Sequence, residues 1–188
     1  MRRGLRVLYD TAAPQAGHFT RAQAHERQVS DRMLSHYTAA GDLTRPARGV
    51  YRLAHWPAQP WEDALVACLW IGPDAAASHG TALAVHGLGD AMPAVLHVTV
   101  PRAFRGQRSG VLVHHAPLPD DDVTSRDGVP VTTVWRTLVD VSELVDADEF
   151  ARLVSEALDR GLLSRARVRQ LADHQPRLAV ALAQAGVG

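Results

Sequence analysis

Residues 19–53 read FTRAQAHERQVSDRMLSHYTAAGDLTRPARGVYRL, and this stretch decides the fold of the first part of the chain. Thr20 stands three residues before Gln23, which is the spacing of a capping box. In that motif the two side chains satisfy backbone amides that have no partner in the first turn of a helix. The pattern therefore predicts a short helix that begins after Thr20 and runs to about Arg27.

A second helix is predicted directly after the first, with Ser30 as its N-cap and Gly41 as its stop. Leu34 and Tyr37 fall on one side of this helix at a spacing of 100° per residue, which marks the buried side. The residues that face away from that side, or lie at its edge, are Arg32, Ser35, His36 and Ala39.

The flanking sequence completes the pattern. Leu5 and Leu8 have helical spacing in a segment that ends at Pro14, which predicts a helix upstream. Residues 41–53, GDLTRPARGVYRL, predict a β-hairpin. Two short helices joined by a tight turn and followed by a hairpin predict a winged helix-turn-helix, in which the last helix enters the DNA major groove and the hairpin, or wing, reaches the backbone.

Arginine is concentrated on the predicted wing, at Arg45, Arg48 and Arg52. Its planar guanidinium group matches the oxygen atoms of phosphate or carboxylate. We therefore expect these side chains to contact DNA phosphates, with Arg21 at the start of the preceding helix as a further candidate. A hairpin that is solvated and used for protein contacts is the alternative.

Charge is divided unevenly along the 188 residues. Residues 1–60 carry nine arginines and four acidic residues, whereas residues 61–188 carry eleven arginines and sixteen acidic residues. The net charges are therefore +5 and −5, although the whole chain is neutral. This division predicts a basic module for a polyanion joined to an acidic module with another role.

The sequence contains no lysine, which excludes the catalytic classes that depend on a P-loop lysine or a Schiff-base lysine. Cys68 is the only cysteine, so an internal disulfide and a thiolate metal cluster are also excluded. Neither a membrane-spanning segment nor a leader is predicted, and we expect a cytoplasmic location. No complete catalytic constellation is present, and we expect neither enzymatic activity nor a cofactor.

Potential metal ligands occur together at three places in the sequence. Asp120, Asp121 and Asp122 could bind Mg²⁺, but they follow two prolines, which favours a solvated turn. His114 and His115 are adjacent in a predicted strand and point to opposite faces. His79 and His86 could share a helix face, but no third ligand is evident. We therefore predict no metal site.

The remainder of the chain predicts a second domain of mixed α/β structure. The segment at residues 57–60 is a predicted linker, so the domains are residues 1–56 and residues 61–188. The second is predicted to contain helices after Trp61, Ser78, Thr133, Asp146 and Ser164, with a last helix in the tail. Strands are predicted at VLHVTV, VLVHHA and DGVPVTT. We expect this domain to be stable by itself.

Two groups of motifs resemble a known family. Residues 19–53 resemble the N-terminal domain of AbiEi-type antitoxins, the DNA-binding members of type IV toxin-antitoxin systems. The ordered motifs SHGTALAVHGL, LHVTVP, DGVPVTTVWRTLVDV and EALDRGLLS are similar to the actinobacterial branch of that family. The resemblance implies an antitoxin that represses transcription from its own promoter by binding double-stranded DNA, and that counters a nucleotidyltransferase-type toxin.

Two other functions stay open from the sequence. The chain could be a one-component winged-helix regulator whose second domain binds a ligand or dimerises. It could also be an enzyme, although no set of residues supports that reading.

Overall fold

The computed structural model describes residues 3–90 and 92–174 of the chain. Its architecture is mixed α/β, with a winged helix-turn-helix followed by an α/β domain that ends in helices. The helix that we predicted in the tail lies outside the described residues. Within them, no helix has the length and apolar character that a membrane-spanning segment needs.

The winged helix follows the predicted order. Helices α1 (Arg3–Ala12), α2 (Arg21–Glu26) and α3 (Asp31–Ala39) are combined with strands β1 (His18–Thr20), β2 (Leu43–Ala47) and β3 (Val50–Leu53). The strands form an antiparallel sheet in the order β1-β3-β2. The hairpin was predicted, whereas β1 was not.

Local sequence explains the two central helices. The Thr20 hydroxyl accepts a hydrogen bond from the backbone N–H of Gln23 at 3.2 Å, and the Gln23 side chain accepts one from the N–H of Thr20 at 2.8 Å, as the capping box predicts. The Ser30 hydroxyl accepts from the N–H of Met33 at the start of α3. Phe19 of β1, Leu34 of α3 and other apolar side chains of the helices and strands form the buried core of this unit.

The second half is built on a five-stranded sheet. Its strands are β4 (Ala76–Ala77), β5 (Leu96–Val100), β6 (Val111–His115), β7 (Val123–Arg126) and β8 (Val129–Thr132), in the order β6-β5-β4-β8-β7. The pairs β5-β6 and β4-β8 are parallel, and the pairs β4-β5 and β7-β8 are antiparallel.

Within the described residues, five helices accompany this sheet: α4 (Glu62–Ile71), α5 (His79–His86), α6 (Val134–Val141), α7 (Ala147–Asp159) and α8 (Arg165–His174). Helix α4 is apolar on nearly all sides and packs with Val98, Val100, Val129 and Val131 on one face of the sheet. The other helices share a second core around Leu88, Leu138 and Phe150.

The two halves touch each other directly. Ala16, from the winged helix, is buried in the core that α4 forms with the five-stranded sheet. An ion pair joins Arg52 of β3 to Glu62 of α4. Residues 57–59, within the predicted linker, have no regular secondary structure. The domain boundaries and the independent stability of residues 61–188 stay predictions.

Candidate nucleic-acid interface

Helix α3 presents a solvent-exposed side at the residues that the sequence predicts for base contacts. Leu34 and Tyr37 are buried in the winged-helix core, which fixes the rotation of the helix about its axis. The opposite side is exposed, and it carries Arg32, Ser35, His36 and Ala39. The structure therefore brings these four predicted residues together on one surface.

The wing holds two exposed arginines. Arg45 lies over the ring of Tyr51, with 5.7 Å between its guanidinium carbon and the ring centroid, and Arg48 is exposed in the turn between β2 and β3. Gly49 completes the turn with φ +79°, a conformation that costs glycine nothing but strains other residues.

Arg21 ties the wing to the helices. Its backbone N–H donates to the carbonyl oxygen of Gly49 at 2.8 Å, so that the start of α2 lies against the wing turn. Its guanidinium group forms an ion pair with Asp31, the first residue of α3, and Asp31 also bonds with His25 at 2.8 Å. Both partners, Arg21 foremost, hold the pKa of the Asp31 carboxyl well below its usual range.

Arg52 differs from the other predicted arginines. Its guanidinium group contacts Glu62 at 3.1 Å and the carbonyl oxygen of Trp56 at 2.7 Å, and only 16% of its side chain is exposed. These contacts turn the group toward α4 and away from solvent. We therefore do not include Arg52 in the proposed DNA-binding surface.

The histidines of the second half form neither of the two pairs considered from the sequence, His114 with His115 and His79 with His86. The ring of His86 is buried and donates to the carbonyl oxygen of Thr132 at 2.7 Å, while His115 is exposed. His79 and His114 instead lie close to each other and to His97, which was not among the predicted candidates. The signal that could have found this group is the presence of histidine on two neighbouring strands.

Ser78 precedes α5 as predicted, but its hydroxyl does not cap the helix. His79 has φ +50°, in the left-handed region, and this bend directs the Ser78 hydroxyl elsewhere. It accepts a hydrogen bond from Thr99 at 2.8 Å and lies 2.9 Å from Nδ1 of His79.

The aspartates at residues 120–122 form a single 3₁₀ turn, in agreement with the predicted turn. Asp122 forms an ion pair with Arg136 at 3.0 Å, and Arg136 also pairs with Asp140 at 2.7 Å. Asp122 therefore helps to hold α6 beside this turn.

Comparison with known proteins identifies both halves of the chain. A family model described as "Transcriptional regulator, AbiEi antitoxin" matches residues 6–54, and one described as "AbiEi antitoxin C-terminal domain" matches residues 75–185. No curated protein matches the chain.

A crystal structure of the RV2827C protein from Mycobacterium tuberculosis has a similar fold. It aligns with a TM-score of 0.56 and 18% sequence identity, over 97% of this chain and 77% of that one. At this level of identity the likeness concerns the fold alone.

Proposed function

Because the chain belongs to the AbiEi antitoxin family and is an antitoxin-type regulator, we propose that it binds double-stranded DNA at its own promoter and represses transcription there. We further propose that it counters a nucleotidyltransferase-type toxin, the kind of toxin that the family resemblance implies. DNA binding is assigned to the winged helix and neutralisation to residues 61–188.

The observation that carries the DNA-binding proposal is that α3 and the wing belong to one packed unit and both expose the residues predicted to contact DNA. Helix α3 exposes one side along its nine residues, as a recognition helix that enters the major groove does. The Arg21–Gly49 hydrogen bond holds the wing beside the start of α2, so Arg45 and Arg48 can reach phosphates that flank the groove. The net charge of +5 on residues 1–60 favours a polyanion as the partner.

Arg21 has a conditional place in this surface. Its guanidinium group is exposed but paired with Asp31, so a phosphate would have to replace the Asp31 carboxylate. An exposed ion pair contributes little to stability, because solvent screens it, and a phosphate group can therefore take the place of the Asp31 carboxylate. We expect Arg21 to contact a phosphate in the complex, while the Asp31 carboxylate keeps its hydrogen bond with His25.

A protein is a better partner than DNA for the second half. Residues 61–188 have a net charge of −5, which repels the DNA backbone. Arg136 and Arg160 are among the arginines of this half that are held in ion pairs with acidic side chains. This balance supports the assignment of toxin neutralisation to these residues.

A reporter gene fused to the chain's own promoter tests the proposal, together with growth of cells that express the neighbouring toxin gene. The native chain should repress the reporter and restore growth. The Arg45→Ala/Arg48→Ala variant should lose repression and still restore growth. Arg152→Ala/Arg165→Ala, which removes two exposed arginines from the second half, is the control and should repress as the native chain does. Unchanged repression by Arg45→Ala/Arg48→Ala would contradict the assignment.

One feature favours the ligand-responsive regulator as a second candidate. A groove of about 580 Å³ opens between β7, α6 and the start of α8, where Thr124, Thr133 and Trp135 are among its lining residues. Grooves of this size accommodate small molecules. If a metabolite relieved repression in cells that have no toxin gene beside this one, the second candidate would replace the first.

A further inference from the structure

Three histidines from three separate elements converge on one face of the five-stranded sheet. His79 begins α5, His97 lies on β5 and His114 lies on β6. One ring nitrogen of each falls within 4.8 Å of those of the other two. The cluster of His79, His97 and His114, called here the histidine cluster, is half-buried.

The sheet register explains how two of these rings meet. Strands β5 and β6 are parallel, with Thr99 paired to His114 and His97 paired to Leu112. Alternate residues of a strand share a face, so His97 and His114 both lie on the side opposite the valines that pack against α4. Nδ1 of His97 lies 3.0 Å from Nε2 of His114.

The third ring is placed by the unusual backbone of its own residue. The left-handed φ of His79 turns its side chain over the sheet, where its ring stacks on that of His114 with centroids 3.8 Å apart. Strained backbone at a non-glycine residue is frequent at functional sites. Ser78 stands beside Nδ1 of His79 and is itself fixed by Thr99, which leaves Nε2 of His79 for another partner.

We propose that the histidine cluster binds a divalent transition-metal ion, with Zn²⁺ as the best match and water as the fourth ligand. Imidazole suits Zn²⁺ and its neighbours in the transition series far better than Mg²⁺ or Ca²⁺. Three protein ligands and one open position form the arrangement of zinc sites that retain a water molecule. Because the three side chains are only half-buried, a water molecule can reach the fourth position.

The distances agree with such a site. Zinc–nitrogen bonds of about 2.0–2.1 Å in a tetrahedron place the ligand nitrogens about 3.3 Å apart. The separations in the cluster reach at most 4.8 Å, and Nδ1 of His97 lies 3.0 Å from Nε2 of His114. Rotation of the stacked His79 and His114 rings about their side-chain bonds closes the remaining difference.

Protonation does not oppose the metal at neutral pH. Burial lowers the pKa of all three rings, and the neighbouring His114 and His97 contribute to lowering that of His79 to about 4. Metal ligation needs neutral imidazole, which this environment provides. Arg136 also lowers the pKa of His79, but its positive charge is compensated by Asp122 and Asp140.

The test uses the untagged full chain, freed of metal with a chelator. Calorimetric titration with Zn²⁺ should show one ion bound per chain, and Co²⁺ should give the intense visible absorption of a four-coordinate site. His114→Ala should weaken Zn²⁺ binding at least about tenfold, since loss of even an outer contact costs about 10–100-fold. His115→Ala, on the same strand but the opposite face, is the matched control and should bind as the native chain does.

A second variant guards against misfolding of the first. His97→Gln removes a ligand from a different strand and should weaken binding similarly, with circular dichroism confirming that the chain is folded. If the native chain bound no Zn²⁺, or if a folded His97→Gln or His114→Ala variant bound it as tightly as the native chain, the proposal would be overturned.

Discussion

Replacing Arg52 by alanine distinguishes a residue that joins the two halves from one that contacts DNA. The guanidinium group donates to Glu62 through Nε at 3.3 Å and Nη2 at 3.1 Å. It also donates to the carbonyl oxygens of Trp56 at 2.7 Å and Leu53 at 3.3 Å. The substitution removes all of these bonds and leaves the carboxylate without its cation.

The expected loss of stability follows from the burial of the Arg52–Glu62 ion pair. Arg52 exposes 16% of its side chain and Glu62 exposes 28%, so the pair lies between the exposed and the buried limits. Breaking an exposed pair costs about 0–1 kcal/mol, and breaking a buried pair costs about 3–5 kcal/mol. Glu62 also accepts from the N–H of Gln59, which partly compensates the loss. We expect Arg52→Ala to lower the free energy of unfolding by about 2–3 kcal/mol.

Urea unfolding followed by circular dichroism measures this loss. Arg48→Ala, on the exposed wing, is the control and should stay within about 0.5 kcal/mol of the native chain. A double-mutant cycle with Glu62→Ala should give a coupling energy of about 1–2 kcal/mol. The reasoning fails if Arg52→Ala leaves stability unchanged and instead lowers the salt dependence of DNA binding, because Arg52 would then be a phosphate contact.

Three further predictions concern base reading, pH and helix capping. Arg32→Ala should cost about 1–3 kcal/mol of binding free energy at one base pair of the operator and relax the base preference there alone. Binding to a set of singly substituted operators measures this loss. Equal weakening at every position would make Arg32 a phosphate contact. Burial lowers the pKa of His18 below its ordinary 6.5, and its Nδ1–H donates to the carbonyl oxygen of Ala16. Below pH 6.5 the unfolded state therefore binds more protons than the folded state. The free energy of unfolding should fall as the pH drops below 6.5. His18→Asn keeps a donor without titrating and should flatten the urea-unfolding profile against pH, whereas an unchanged profile would exclude His18 as a source of the slope. Thr20→Ala should lower the free energy of unfolding by about 1 kcal/mol in the same assay. An unchanged value would show that the capping box of α2 does not contribute to stability.

The winged helix could be predicted because its determinants are local. Capping residues and the spacing of Leu34 and Tyr37 act within one or two helical turns. Strand β1, only three residues long, could not be found this way, since its extended shape depends on pairing with β3. The same holds for β4, whose Ala76 and Ala77 have little preference for strands and are placed by β5 and β8.

Parts of the candidate sites depend on contacts that the sequence does not encode locally. The pairing of Arg52 with Glu62 arises from the packing of α4 against the wing sheet, so the arginine pattern alone grouped Arg52 with Arg45 and Arg48. The histidine cluster likewise requires the parallel register of β5 and β6. From the sequence, His114 was considered together with its neighbour His115. In the fold, its ring instead lies beside that of His97.

The most direct test of the account is the salt dependence of binding between the purified chain and its own promoter DNA. The native chain should bind the promoter fragment more tightly than an unrelated duplex, with an affinity that falls linearly as salt rises on logarithmic axes. Arg45→Ala/Arg48→Ala should reduce the slope by about 1.8, because each phosphate contact contributes about 0.9. The Arg152→Ala/Arg165→Ala control should leave the slope unchanged. Equal binding to promoter and unrelated DNA, with a slope that the wing variant does not alter, would contradict the central claim.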